Sequence, residues 1–170
     1  IKNIPYKQSN IQISDNFIRD VIRPLAGESA KADAQTAFLS VNSKLRKEND
    51  QTIRDASSKS DSAILWTGPF HQLSNSKVEA NFADERTYVY NGEAIDKQYH
   101  LGYDLAVTKR YPIEAANSGI VVYSGPLGIY GNTVIIDHGM GVSTLYGHMS
   151  SIDVKVGDEI KKNQIIGKTI

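Results

Sequence analysis

Four histidines, His71, His100, His138 and His148, are the side chains of this sequence best suited to acid–base or metal chemistry. The tightest constellation is His100-Leu-Gly-Tyr-Asp104, a nitrogen and an oxygen ligand four positions apart followed by the apolar run Leu-Ala-Val. A helix would put both side chains on one face. Gly102 and the flanking tyrosines fit a loop entering a strand better, because a glycine lets the chain bend and aim both groups at a common point. Two readings share this spacing: a metal pair, and the commoner surface histidine bonded to its own aspartate. A second constellation is DHGMGVSTLYGHM, Asp137 to Met149. Paired as a hairpin through Gly139 and Gly141, it would bring His138 and His148 near one end of a sheet or along adjacent strands, where a histidine can act as general base or orient a water. His138 reads equally well as a turn residue satisfied by backbone groups. His148 follows an aromatic strand and a glycine, Gly147, which would let a substrate backbone approach closely.

The elements that must position these residues change character near Trp66. Before it only Gly27 interrupts helical periodicity; after it come the other 12 of the 13 glycines and short β-branched runs. Ser14 can cap a helix whose apolar positions Phe17, Ile18, Val21 and Ile22 share a face, with Pro24 ending or kinking it. A second helix over about residues 30–48 carries the stripe Ala34, Phe38, Val41 and Leu45, read as core packing, and turns Lys44, Arg46, Lys47 and Glu48 to solvent. The polar stretch Asn49 to Ser62 reads as a linker or a frayed helix end. Downstream, Gly119 to Gly125, Asn132 to Gly139 and Val142 to His148 read as strands separated by glycine-bearing breaks, and Val154 onward adds a turn at Gly157-Asp158. The expected fold class is α+β: a helical N-terminal segment and linker, 1–66, then an antiparallel sheet or barrel-like domain, 67–170.

Composition narrows the function. With 19 basic and 19 acidic residues the net charge is zero, so no global field favours nucleic acid or an anionic membrane. The absence of cysteine leaves His, Asp and Glu as the strong metal ligands. No apolar run approaches the roughly 20 residues of a membrane span, and IKNIPYKQSN lacks the build of a signal peptide. The expectation is a cytosolic protein or one whose targeting segment has been removed.

HLGYDLA, then AANSGIVV, then GNTVIIDHGMGVSTLYGHMSSIDVKVGDEIKKNQIIGKT closely resemble, in order and spacing, the lysostaphin-like (LytM-type) zinc metallopeptidases, over about residues 77–170. That family's phenylalanine-glycine and arginine element is approximated by NFADER, Asn81 to Arg86, with Ala83 in the glycine position. The resemblance implies a LytM-type β domain of the duplicated-hybrid-motif kind and one zinc ion held by His100 and Asp104, with His148 as a catalytic residue. It also implies peptide-bond hydrolysis in peptidoglycan stem peptides or cross-bridges. The chain would then work in the cell envelope, on the periplasmic or extracellular side of the inner membrane, with a targeting segment or membrane anchor upstream. Tyr88, Tyr90, Tyr99 and Tyr103 could line the groove or donate to the oxyanion, with His138 beside them, although packing is the default for each tyrosine.

The family's H-x-H motif, which supplies a third zinc ligand and a second catalytic histidine, does not occur in this sequence. A hydrolytic zinc site keeps three protein ligands and one open position. The favoured expectation is a chain that stops before that motif; the others are completion of the site by His71, and a degenerate domain that binds without cutting. The last would be a non-catalytic LytM-like module that binds and activates a separate cell-wall hydrolase. VGDEIKKNQIIGKT also looks like the strand-turn-strand of biotinyl and lipoyl carrier domains, but Lys161 and Lys162 follow the turn instead of occupying its tip.

Overall fold

Ser14 starts the first helix as its residue type leads one to expect: its hydroxyl accepts the Phe17 N–H at 3.1 Å. A computed structural model describes residues 5–170; the opening IKNI, part of the stretch read for a leader, lies outside them. Helical geometry continues through Asp15–Phe17, Ile18–Ile22 and Arg23–Leu25, with Ile18 and Ile22 buried. Pro24 sits in the last turn, and the chain leaves into the short 3-10 turn Gly27–Lys31. Asp33 caps the second helix, its carboxylate taking the Thr36 N–H at 2.9 Å and the Thr36 hydroxyl at 2.6 Å. That helix runs through Ala34–Leu39, Ser40–Leu45 and Arg46–Ser57. No helix among the described residues is long and apolar enough to cross a membrane.

The fold is α+β, helices first and a mostly antiparallel sheet system after them. Its two compact units do not follow the change of texture at Trp66. One comprises the described residues through Lys47 with Val78–Leu105, the other Glu48–Lys77 with Ala106–Ile170. In the first unit, β1 (Gln8–Gln12) lies parallel to β3 (Glu85–Tyr90), which pairs antiparallel with β4 (Glu93–Tyr99) through the left-handed Asn91-Gly92 turn. A smaller pair joins β2 (Lys77–Ala80) to β5 (Asp104–Ala106). Of the expected stripe on the second helix, Phe38 and Val41 are buried while Ala34 and Leu45 are half-buried; Ala37 is buried beside them, and the Phe38 ring meets Tyr88 at 5.4 Å.

The second unit is built on six strands in the order β10-β7-β8-β9-β11-β6, antiparallel at every junction. They are β6 (Pro112–Glu114), β7 (Gly119–Pro126), β8 (Asn132–Asp137), β9 (Ser143–Ile152), β10 (Glu159–Ile160) and β11 (Ile165–Thr169). Val121, Val134, Ile136, Met149, Ile160 and Ile166 form the heart of its core.

The polar stretch after Asn49 behaves differently from a linker. Helix persists to Ser57 because its polar side chains find partners: Asn49 Oδ1 accepts the Ile129 N–H at 3.0 Å, and the Tyr130 hydroxyl donates to Asp50 at 2.8 Å. Beyond it the chain is strapped onto the sheet. Asp137 Oδ1 accepts from the Ser60 hydroxyl at 2.6 Å and the Gly139 N–H at 3.1 Å, and Oδ2 from the Asp61 N–H at 2.9 Å. Buried Asn117 accepts the Thr67 N–H at 2.9 Å and donates to the Thr67 carbonyl at 3.2 Å. The His71 ring is engaged by Asn163 at 2.9 Å in the same strap.

Burial alone would raise the Asp137 carboxyl, but the Ser60 hydroxyl and the two backbone N–H groups outweigh it and hold the group below the usual carboxylate range. A depressed carboxyl contributes stability above the unfolded-state value, about pH 3.9, and loses it as pH falls through the folded one. Denaturant midpoints of the full chain should therefore drop on acidification. Asp137→Asn should cost about 1–3 kcal/mol at neutral pH and weaken that acid dependence; a variant with parent stability across the range would contradict this role.

Candidate metal centre

His100 directly follows β4 and Asp104 opens β5, so the pair sits in a loop entering a strand. The chain bends at Gly102 without a left-handed φ and with open space where a Cβ would stand, so the bend does not itself demand glycine. What fixes His100 is the turn Asn81–Asp84. The His100 N–H donates to the Asp84 carbonyl at 2.9 Å, and its own carbonyl accepts the Ala83 N–H at 2.7 Å. The ring is held as well: Nδ1 lies 2.8 Å from the Asn81 carbonyl. A carbonyl oxygen can only accept, so Nδ1 carries the hydrogen and Nε2 is the nitrogen turned toward Asp104.

Nε2 lies 3.1 Å from Asp104 Oδ1, while Asp104 Oδ2 accepts from Arg86 at 2.9 Å. Two acceptor atoms so close need a positive charge between them, either a proton or a metal ion. Tetrahedral zinc with bonds of about 2.0–2.1 Å would set its ligand atoms roughly 3.3 Å apart, so these two atoms fit one coordination edge. Their outer atoms are already tied to Asn81 and Arg86, bonds of the kind that would hold a metal-binding pair in direction. Among the described residues no three His, Asp or Glu side chains gather as a ligand set. The Asp104 side chain is 52% exposed, and an exposed ion pair contributes only about 0–1 kcal/mol, so fold stability does not account for the arrangement.

Phe82, Tyr99, Leu101 and Tyr103, all within two residues of this turn and pair, stand exposed. Tyr88 and Tyr90 do not join them. Tyr88 packs on Phe38, and the Tyr90 hydroxyl donates to Asp15 at 2.7 Å.

The second unit presents His148. Facing strands match Asn132 to Met149 and Val134 to Tyr146, so Gly147 and His148 together bulge opposite Thr133. His148 adopts φ +54°, which for a side chain with a Cβ costs about 1–2 kcal/mol, and its ring is exposed with no hydrogen bond to any described residue. Gly147 answers to its own chain and not to a substrate backbone, since a Cβ there would stand 3.2 Å from the Tyr130 carbonyl oxygen. His138 is fully buried and does not face a groove. Its Nδ1–H donates to the Ser118 carbonyl at 2.6 Å, Nε2 is 2.8 Å from Thr144 Oγ1, and the Phe70 ring packs edge-on at 4.9 Å. Burial holds this imidazole below its ordinary value against the opposing pull of the Ser118 carbonyl and Asp137, which favours the neutral form.

Sequence reasoning missed Asn81, Asp84 and the bond from Arg86. The one signal was NFADER, and its Ala83 sits at φ +64°, the conformation that glycine adopts without strain. Ala83→Gly should remove about 1–2 kcal/mol of strain while adding about 0.5–1 kcal/mol of unfolded-state entropy. The expected result is a net gain near 0.5–1 kcal/mol, read from denaturant midpoints, and a loss of stability would speak against a strained turn.

Residues 98–170 match the model of peptidase family M23. The DD-carboxypeptidase/endopeptidase Mpg of Neisseria meningitidis serogroup B is 37% identical over 68 residues, which is 40% of this chain and 16% of Mpg. The peptidoglycan DD-endopeptidase ShyA of Vibrio cholerae is 31% identical over 91 residues, 54% of this chain and 20% of ShyA. Among solved structures, a variant catalytic domain of the prophage-encoded M23 protein EnpA from Enterococcus faecalis is 31% identical, with 59% of this chain and 72% of that one covered and a TM-score of 0.45. The chain spans no more than a fifth of the length of Mpg or ShyA. The matched stretch, residues 98–170, holds His100, Asp104 and His148 and carries the similarity to peptidase family M23.

Proposed function

We propose that this domain serves a zinc-dependent endopeptidase that hydrolyses peptide bonds in the stem peptides or cross-bridges of peptidoglycan, in the cell envelope. The observation that carries the reading is Nε2 of His100 facing Asp104 Oδ1 at 3.1 Å, with the far side of each group already bonded. The match to peptidase family M23 and the printed activities of Mpg and ShyA support this reaction and substrate class.

In this reading His100 Nε2 and Asp104 Oδ1 hold one zinc ion. When bound, the metal supplies Lewis acidity, polarising a carbonyl and bringing the pKa of water down to about 7. The Asn81 carbonyl keeps the hydrogen on Nδ1, so that Nε2 is the nitrogen a metal would use, and Arg86 orients Asp104 through its bond to Oδ2. His148, its ring unbonded among the described residues, takes up a proton as general base and returns it to the leaving amine. Tyr99, Tyr103, Phe82 and Leu101 offer exposed apolar surface against which an extended peptide can lie.

Zinc content and the release of peptides from purified peptidoglycan test this together. His100→Ala should weaken zinc binding by more than the ~10–100-fold typical of second-shell changes, and should abolish release. His148→Ala should keep zinc and lose release. Cleavage that survives both chelation and His100→Ala would overturn the proposal. A chain that binds peptidoglycan but neither takes up zinc nor cuts would belong instead to the class that binds and activates a separate hydrolase.

A further inference from the structure

We infer that Asp84 is a positioning residue for the metal pair: its buried carboxylate closes the Asn81–Asp84 turn, and that turn sets the tautomer and direction of the His100 ring. The inference rests on reading His100 as a metal ligand. Asp84 is 4% exposed, a rare environment for a carboxylate, and its Oδ2 accepts the Asn81 N–H at 3.0 Å. The Asp84 N–H reaches back to the Asn81 carbonyl at 3.4 Å, so the two residues clasp each other across the turn. Both ends of the clasp touch His100, since the Asp84 carbonyl takes its N–H at 2.9 Å and the Asn81 carbonyl meets its Nδ1 at 2.8 Å.

The need for a carboxylate follows from Ala83. A glycine would occupy φ +64° without strain and the turn would hold by conformational preference; alanine opposes that conformation by about 1–2 kcal/mol, so bonds must hold it. A charge-assisted acceptor on a backbone N–H is roughly twice as strong as a neutral one, and Asp84 supplies it. With the carboxylate removed, the Asn81 carbonyl is free to drift from Nδ1, both imidazole tautomers become accessible, and the lone pair no longer stays on the atom that faces Asp104.

The test uses the full chain with labelled histidine, metal-free, and reads the His100 tautomer from its ring nitrogen shifts above the pH at which the ring is protonated. The parent should show hydrogen on Nδ1. Asp84→Ala should mix the tautomers and weaken zinc binding about 10–100-fold, the range for second-shell partners. Asp84→Asn, which keeps an acceptor oxygen, should restore most of the parent behaviour, and adding Ala83→Gly to Asp84→Ala should recover part of it, because the turn then holds without the clasp. A parent ring with its hydrogen on Nε2 would overturn the inference even if Asp84→Ala fails to fold. So would a folded Asp84→Ala variant with the parent tautomer and zinc affinity. Failure of the parent to bind zinc would count against the proposed function alone, since the tautomer is read without metal.

Discussion

A backbone carbonyl has no hydrogen to give, and that constraint at Asn81 organises the candidate site. With the Asn81 oxygen against Nδ1, the imidazole of His100 has one available lone pair and one direction in which to present it, toward Asp104. Every other feature of the first unit near this point serves the same end. The Ala83 and Asp84 bonds to the His100 backbone stop the residue from sliding along the turn, and Arg86 fills the far oxygen of Asp104. Orientation of the His100 ring is thus achieved largely with main-chain groups, whose positions change little with side-chain rotamer.

The two positive-φ residues beside functional side chains, Ala83 and His148, show where local preference gives way to tertiary demand. At Ala83 the strained residue is not itself chemical; it shapes the turn that holds the ligand. At His148 the strained residue is the one proposed to act chemically. A bulge lets the ring leave the alternation of β9, which would otherwise commit it to one face of the sheet. Neither strain is visible in composition, because each depends on bonds to residues distant in sequence.

Distance in sequence also separates what was legible from what was not. The Ser14 cap, the buried Phe38 and Val41 of the second helix and the runs that became β7, β8 and β9 follow local rules of type and period, and could be read directly. The His100–Asp104 pair was ambiguous on spacing alone and became a metal candidate only through the wider resemblance. Asn81 and Arg86 act on it from 19 and 18 residues away, and no local rule reports such contacts. The polar run after Asn49 misled for the same reason: its side chains look solvated until the turn Gly128–Tyr130, some 80 residues on, provides their partners. β1, whose Gln8-Ser9-Asn10-Ile11-Gln12 has almost no apolar alternation, is a strand only because β3 offers it a ladder.

Stability and chemistry are consequently carried by different kinds of interaction. The second unit is held by an apolar core and by a strap whose buried polar anchors, Asp137 and Asn117, are fully bonded, so that each anchor is costly to disturb. Of the candidate pair, Asp104 is exposed and His100 half-buried, and the Asp104 ion pairs add little to folding. A group that stabilises nothing by being where it is can be charged, metallated or approached by a substrate without unfolding its surroundings. What the fold must guarantee is direction, and it does so through the turn that Asp84 closes and the carbonyl that Asn81 presents.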